Sequence, residues 1–226
     1  MFSLFIIRVH PEFDKNIIVA KAKISALDNL IEVLKNKQIW LNGFYCFTIY
    51  GTTVLFADLW GIRYLSLKGF NQETAGLCTS LIFIGVAIFS PVWGAIASIL
   101  NSEQKPLFIA PIIGFFIVIF LLYINTNEYI AFLLCVLFGG SQAVHVLNYS
   151  ALRNTVPVVR IATALALVNL FLPLSGGILQ PVTGAIIGQL SKNHSNLFAF
   201  EAAMIFVPIL MILSFIIALF IKNSKG

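Results

Sequence analysis

The segment PVWGAI at Pro91–Ile96 returns as PVTGAI at Pro181–Ile186, with five of six residues identical and an offset of ninety positions. The same offset brings the neighbouring hydrophobic runs into register, because the run that opens near Leu107 matches one that opens near Leu197. A constant period in a sequence indicates a structural repeat. The chain is therefore predicted to use one unit of three long apolar segments twice.

Composition places these segments in a membrane. The chain has 226 residues, of which 59% are hydrophobic and 10% charged, whereas a soluble domain carries about 25% charged residues. Crossing the hydrocarbon takes roughly 20 apolar residues as a helix, which satisfies all its backbone groups internally. Six stretches are long enough: 39–60, 74–99, 107–124, 129–152, 161–189 and 197–221. We expect an all-α integral membrane protein with six transmembrane helices arranged as two inverted three-helix repeats, because an odd number of crossings inverts the second unit.

The remaining sequence signals argue against an enzyme. The three cysteines, Cys46, Cys78 and Cys135, all fall inside apolar stretches and have no metal-ligand spacing. Common hydrolase, metalloprotease and phosphate-binding motifs are absent from the sequence. We expect no enzymatic activity, no cofactor and no metal. The net charge of +5 is carried mainly between the apolar runs, which is typical of a membrane protein and predicts no nucleic-acid partner.

Loop charges predict the orientation of the chain. Residues 1–38 comprise a short apolar helix end followed by the long polar stretch 8–38, and 222–226 form a short tail. If both lie in the cytoplasm, 11 basic residues are inside and three, Arg63, Lys68 and Lys192, are outside. We therefore expect an inner-membrane protein with both termini cytoplasmic. Apolar residues at helical spacing between Ile24 and Leu34 predict an amphipathic helix that either lies on the membrane surface or is an ordinary linker helix.

Polar side chains separate the six stretches by role. The first, fourth and fifth carry polar stripes, the second carries a stripe of small residues, and the third and sixth are almost entirely apolar. A polar stripe must face protein or water. We therefore expect the third and sixth stretches at the periphery and the other four around an interior. The candidate path-lining residues are Asn42, Tyr45, Gln142, His145, Asn169 and Gln180.

His145 is the most suggestive of these residues because its imidazole can change charge near neutral pH. It either forms a substrate or proton site or is a neutral, hydrogen-bonded side chain inside the bundle. Asp58 and Arg63 flank Trp60 and form either a gate pair or a charge pair at the membrane surface. Gating or close packing is expected for the repeat residues themselves, Pro91, Gly94, Pro181 and Gly184.

Several motifs together resemble bacterial transporters of the major facilitator superfamily. They are FADLWGIRYL at Phe56–Leu65, GFN at Gly69–Asn71, FIG at Phe83–Gly85 with Ser90–Pro91 and Gly94, and ATA at Ala162–Ala164 with Asn169, Gly176–Gly177, Gln180–Pro181 and Gly184. They resemble the seventh-to-eighth helix junction, the eighth helix and the eleventh helix of that family. The match covers about residues 36–221. The acid and arginine that the family carries in the loop after the eighth helix are absent here.

The resemblance implies the C-terminal six-helix half of a twelve-helix transporter, with Met1–Ile7 as the tail of a sixth helix. It implies alternating access for a small polar organic solute, driven by an ion or proton gradient. The expected partners are membrane lipid, the solute, a coupling proton, and either a separate N-terminal half or a second copy of the chain. The alternative is an orphan or truncated half without transport activity, or a membrane subunit that binds a partner.

Overall fold

The structure is a computed structural model that describes residues 26–153 and 155–222. Within these residues all regular structure is helical. The α-helices are α1 (Ala26–Lys35), α2 (Lys37–Thr53), α3 (Gly61–Leu67), α4 (Gln72–Ile99), α5 (Gln104–Tyr123), α6 (Glu128–Gln142), α7 (His145–Arg153), α8 (Ile161–Leu190), α9 (Asn196–Met204) and α10 (Phe206–Ala218). A π-helix at Val54–Trp60 joins α2 to α3, and a 3₁₀ turn at Val158–Arg160 precedes α8.

Six of these helical segments are long and apolar enough to cross a membrane, which confirms the predicted fold class. Spans 1 to 6 are Lys37–Leu67, Gln72–Ile99, Gln104–Tyr123, Glu128–Arg153, Val158–Leu190 and Asn196–Ala218. Span 1 continues past Trp60, where the sequence suggested its end, because the π-helix carries the chain directly into α3.

Contacts between loops define the two faces of the bundle. The Gln38 amide at the start of span 1 bonds the Phe220 carbonyl oxygen and accepts from the Lys222 backbone NH. Asn36 donates to the Thr155 carbonyl in the connection between spans 4 and 5. The beginning of span 1 and the end of span 6 therefore lie on the same face, as six crossings require.

On the opposite face, Lys68 ties the end of span 1 to span 3. Its Nζ donates to the carbonyl oxygens of Leu121, Leu122 and Ile124 at 3.2, 2.9 and 2.9 Å, and the Tyr64 hydroxyl also donates to Leu122. The last carbonyls of a helix have no intrahelical partners, so Lys68 caps the C-terminal end of span 3. Burial lowers the pKa of Lys68, while nearby Glu201 opposes that shift.

The packing repeats with the same offset as the sequence. Span 2 packs most extensively on span 4 and span 5 on span 1, while spans 3 and 6 pack on each other. Phe89 of span 2 covers Gly140, and Leu179 of span 5 covers Gly51. Phe89 and Leu179 are ninety positions apart and the two glycines eighty-nine. Each unit therefore places its second helix against the first helix of the other unit.

Spans 1 and 4 are the most buried within the chain, and spans 2 and 5 are the least buried. In the most apolar stretch of each span, 22% of residues are buried in spans 2 and 5, against 44% in spans 3 and 6. Added side chains at Gly76, Gly94, Gly177 and Gly188 would meet open space. Composition predicts a face suited to close helix contact, but not whether its partner belongs to the same chain.

The predicted amphipathic helix is present as α1, and its apolar face remains exposed. Leu27, Leu30, Ile31 and Leu34 are 64%, 38%, 41% and 38% exposed, while Val33 on another face is buried against the spans. The Trp40 indole donates to the Leu34 carbonyl at 2.8 Å and holds the end of α1 against span 1. The expectations for Met1–Ile7 and for the tail from residue 223 lie outside the described residues.

The contact between spans 2 and 4 generates a stability prediction. A side chain at Gly139 would collide with the Ile82 carbonyl oxygen, whereas Gly76 faces open space. Gly139→Ala should lower the free energy of unfolding by about 1–3 kcal/mol, since the helix backbones would have to separate. Gly76→Ala should be neutral or slightly stabilising because alanine favours a helix.

Unfolding in mixed micelles, followed by circular dichroism, measures both variants under the same conditions. Equal unfolding curves for Gly139→Ala and Gly76→Ala would contradict the close backbone contact between spans 2 and 4.

Candidate functional site

Both central spans depart from regular α-helix at equivalent places. Span 1 contains the π-helix Val54–Trp60. Span 4 is interrupted by a turn at Ala143–Val144, where Leu147 N bonds the Val144 carbonyl three residues back. The offset of ninety carries Val54 onto Val144. Irregular backbone at membrane depth is tolerated where protein or a cavity surrounds it, and discontinuous helices build the binding sites of many transporters.

Gly61 accommodates the end of the π-helix. Its NH bonds the Phe56 carbonyl five residues back, and a side chain at Gly61 would collide with that same oxygen. An extra residue per turn brings this carbonyl under position 61. The sequence therefore supports the π-helix with a glycine at its C-terminal boundary.

A cavity of about 230 Å³ lies beside these irregularities, between spans 1, 2 and 4. Its lining residues are Tyr50, Thr53, Phe83, Val86, Gln142 and His145. The Tyr50 and His145 rings meet edge to face, with centroids 6.3 Å apart and planes at 62°. The cavity therefore combines aromatic surface with an amide, a hydroxyl and an imidazole, the mixture that suits an organic solute.

Gln142 and His145 are held in place by the packing of the central spans. Gln142 Oε1 accepts from the Thr52 hydroxyl at 2.8 Å, and its Nε2 donates to Ser141 Oγ at 3.2 Å. His145 Nδ1 lies 2.8 Å from the Gln142 carbonyl oxygen. A neutral imidazole that donates from Nδ1 keeps Nε2 as an acceptor. The two side chains predicted as site residues on span 4 thus share one cavity.

Asn42 and Tyr45 do not reach this cavity. Both are fully buried; Tyr45 donates to the Leu107 carbonyl of span 3 at 2.8 Å, and Asn42 donates to the Gln38 carbonyl at 2.6 Å. Asn148 of span 4 donates to the Asn42 carbonyl at 3.0 Å. The geometry contradicts a lining role for Asn42 and Tyr45, because the polar stripe of span 1 faces spans 3, 4 and 6 and joins helices.

The two candidate residues on span 5 lie apart from each other. Asn169 is exposed, and its Oδ1 accepts from the Tyr149 hydroxyl of span 4 at 2.6 Å. Gln180 Nε2 lies 3.5 Å from the Val54 carbonyl oxygen at the start of the π-helix. Asn169 thus extends the polar face of span 4, whereas Gln180 contacts the irregular backbone of span 1.

The gating and packing candidates are distributed along the exposed faces. Asp58 and Arg63 are both exposed, and within the described residues neither takes part in an ion pair. Pro91 and Pro181 are exposed inside their helices. Gly94 faces open space, whereas a side chain at Gly184 would press on the Trp60 ring at 3.0 Å. The glycine of the repeated motif is therefore in close contact in the second copy alone.

Four cavity residues, Tyr50, Thr53, Phe83 and Val86, were missed by the sequence reasoning. Tyr50 follows Trp40, Phe44 and Phe47 along an exposed or partly exposed aromatic stripe that looks like a lipid-facing surface. The available signal was the Tyr50 hydroxyl, which lies opposite the predicted polar stripe of span 1. A buried hydroxyl needs a polar partner. Among the described residues, no group of three or more His, Cys, Asp or Glu side chains could hold a metal ion.

The family of the chain follows from a comparison with family models. The model of the Major Facilitator Superfamily matches residues 39–226, which include all six spans apart from the first two residues of span 1. The chain belongs to the Major Facilitator Superfamily. A search of curated proteins finds no match. Members of this superfamily are membrane transporters, and the six apolar helices make this chain a multi-pass membrane protein.

Membership in the superfamily gives meaning to the two irregular spans. In secondary transporters, substrates bind near the midplane at the interface between repeats. Here spans 1 and 4 are the first helices of the two repeats, and the cavity lies between them against span 2. The cavity is therefore the candidate substrate site on this chain.

The bond between Thr52 and Gln142 generates a prediction about the site. Gln142→Met keeps the volume but removes the acceptor, and should lower the free energy of unfolding by about 1 kcal/mol. Gln180→Met is the matched control, since its single contact at 3.5 Å is long and should contribute less. Thermal unfolding of the purified variants measures the difference in stability between them. An equal loss of stability in both would show that the buried bond between Thr52 and Gln142 contributes no more than the long contact of Gln180.

Proposed function

We propose that this chain transports a small polar organic solute by alternating access, as the C-terminal half of a transporter. The observation that carries the proposal is the cavity beside the interrupted regions of both central spans, lined by Tyr50, Gln142 and His145. Broken helices expose backbone groups that would be costly in lipid. Their placement around a cavity with polar side chains supports solute binding there.

The exposed faces of spans 2 and 5 support a role as one half of a larger assembly. Both spans leave most of their residues uncovered, and their glycines at positions 76, 94, 177 and 188 face open space. Small residues permit close helix contact in membranes. A second set of six spans would cover these faces and enclose the cavity, which alternating access requires.

The proposed location is the inner membrane, with both termini in the cytoplasm. Within the described residues, the face that holds the start of span 1 and the end of span 6 carries Lys35, Lys37, Lys105, Arg153, Arg160 and Lys222. The other face carries Arg63, Lys68 and Lys192. An excess of Lys and Arg marks the cytoplasmic side.

Transport is tested with the purified chain in proteoliposomes, alone and together with any six-span protein that co-purifies with it. Uptake of radiolabelled sugars, amino acids, nucleosides and amines is measured with and without an imposed proton gradient. Saturable, gradient-driven uptake of one class supports the proposal. Absence of uptake under every condition would instead favour the second candidate, a membrane subunit that binds a partner without transporting a solute.

The open faces also favour a partner, and the form of that partner can be measured. Native mass spectrometry of the detergent-solubilised chain separates three outcomes. A complex with a different six-span chain supports a split transporter, and a homodimer supports two copies around one cavity. A monomer that binds nothing would count against both assemblies.

His145 is the proposed site of the coupling proton, because its imidazole lies in the cavity next to Tyr50. His145→Gln should abolish the pH dependence of uptake between about pH 5 and 8, where a histidine titrates. His194→Gln, in the loop after span 5 and packed on Phe198, is the matched control and should leave the pH profile unchanged. An unaltered profile in His145→Gln would remove this residue from the coupling mechanism.

A further inference from the structure

Asp58 is the most deeply placed formal charge in the described spans. It lies nine residues before the end of span 1 at Leu67, or roughly 13 Å along the helix axis. The other charged side chains, Arg63 among them, lie nearer to the ends of their spans. A carboxylate within a membrane span is expensive and by default marks a functional site.

The carboxylate is available for a ligand. Asp58 is exposed, although the seven residues before it, Gly51 to Ala57, are all buried. The ion pairs found within the described residues join Glu32 to Lys35 and Arg160, so Arg63 does not neutralise Asp58. The charge therefore stands on the uncovered side of span 1.

The π-helix determines the direction in which Asp58 points. In a continuous α-helix, position 57 would lie two turns after Tyr50 and share its face. A π-helical turn takes up an additional residue, so position 58 takes that place instead. Both side chains accordingly lie outside the buried part of span 1, Asp58 exposed and Tyr50 partly exposed, whereas Ala57 is buried. The irregular turn thus aligns the carboxylate with the Tyr50 and His145 side of the cavity.

The charge and surface of this region define a ligand class. The cavity residues Tyr50, Phe83 and His145 present aromatic rings, and no Lys or Arg lines the cavity. Aromatic faces attract cations, and a carboxylate adds a direct ion pair. An anionic solute would find no compensating positive charge in this cavity other than a protonated His145.

We propose that Asp58 binds the positive group of an organic cation whose apolar part packs against Tyr50 and Phe83. This inference rests on the proposed transport function, and it narrows the solute class from polar to cationic. The cavity of about 230 Å³ accommodates a group the size of an aromatic ring. The π-helix is then a specificity device, because it turns the carboxylate onto the face of span 1 that carries Tyr50.

The test is equilibrium dialysis of the purified full chain against three probes of similar size. Phenyltrimethylammonium carries a permanent positive charge, benzyl alcohol is neutral and benzoate is negative. Phenyltrimethylammonium should bind at least about tenfold more tightly than the other two. Asp58→Asn should reduce that affinity about tenfold or more, the effect expected for a lost charge-assisted contact.

Two further variants keep the result interpretable. Asp58→Glu retains the charge and should bind phenyltrimethylammonium within a few-fold of the native chain. Glu73→Gln removes an exposed carboxylate from the same face of the bundle and should leave the affinity unchanged. The melting temperature of each variant, measured in the same detergent, identifies any loss that comes from misfolding.

Equal binding of the three probes, undiminished binding by Asp58→Asn, or an equal loss in Glu73→Gln would overturn the cation site. Absence of saturable binding of any probe would also overturn it. Saturable uptake of a neutral or anionic solute in proteoliposomes would leave the transport proposal standing while removing the cation inference. Failure of all uptake with cation binding retained would remove transport alone.

Discussion

The structure depends on the need of polar side chains in lipid to find partners within the protein. Water is absent from the hydrocarbon, so each buried hydroxyl or amide must bond another span or its own backbone. Span 1 meets this need for most of the bundle. Thr52 bonds Gln142 of span 4, Ser214 of span 6 donates to Thr48 at 2.8 Å, and Tyr45 bonds the backbone of span 3. The central position of span 1 follows from this set of contacts.

Close backbone contact supplies the second part of the packing. Gly85 and Gly139 allow spans 2 and 4 to approach until a methyl group would collide with the facing carbonyl. Trp93 then donates to the Gly140 carbonyl at 2.7 Å across the same contact. Small residues and interhelical hydrogen bonds act together in membranes because lipid provides no hydrophobic drive between helices. The polar contacts hold spans 1 and 4 together, and the glycines hold spans 2 and 5 against them.

Composition and periodicity predicted the number of spans, the repeat and the placement of the start of span 1 and the end of span 6 on one face. They also singled out Gln142 and His145, which line one cavity; a role of either side chain in solute binding stays a prediction. They could not predict the direction of Asn42 and Tyr45, since a polar stripe is equally suited to a cavity or to another helix. The π-helix at Val54–Trp60 was also beyond the sequence pattern. Its residues are ordinary helix formers, and only Gly61 hints at it.

The second helix of each three-helix unit packs on the first helix of the other unit, and this has a consequence for the synthesis of the chain. Span 2 packs most extensively on span 4, and span 5 on span 1, so the middle helix of each triplet finds its largest contact in the other triplet. While the ribosome makes the first three spans, the glycine face of span 2 has no partner. Span 1 is made before span 5, its main partner, which emerges about 120 residues later. Insertion of the early helices therefore precedes the completion of their packing.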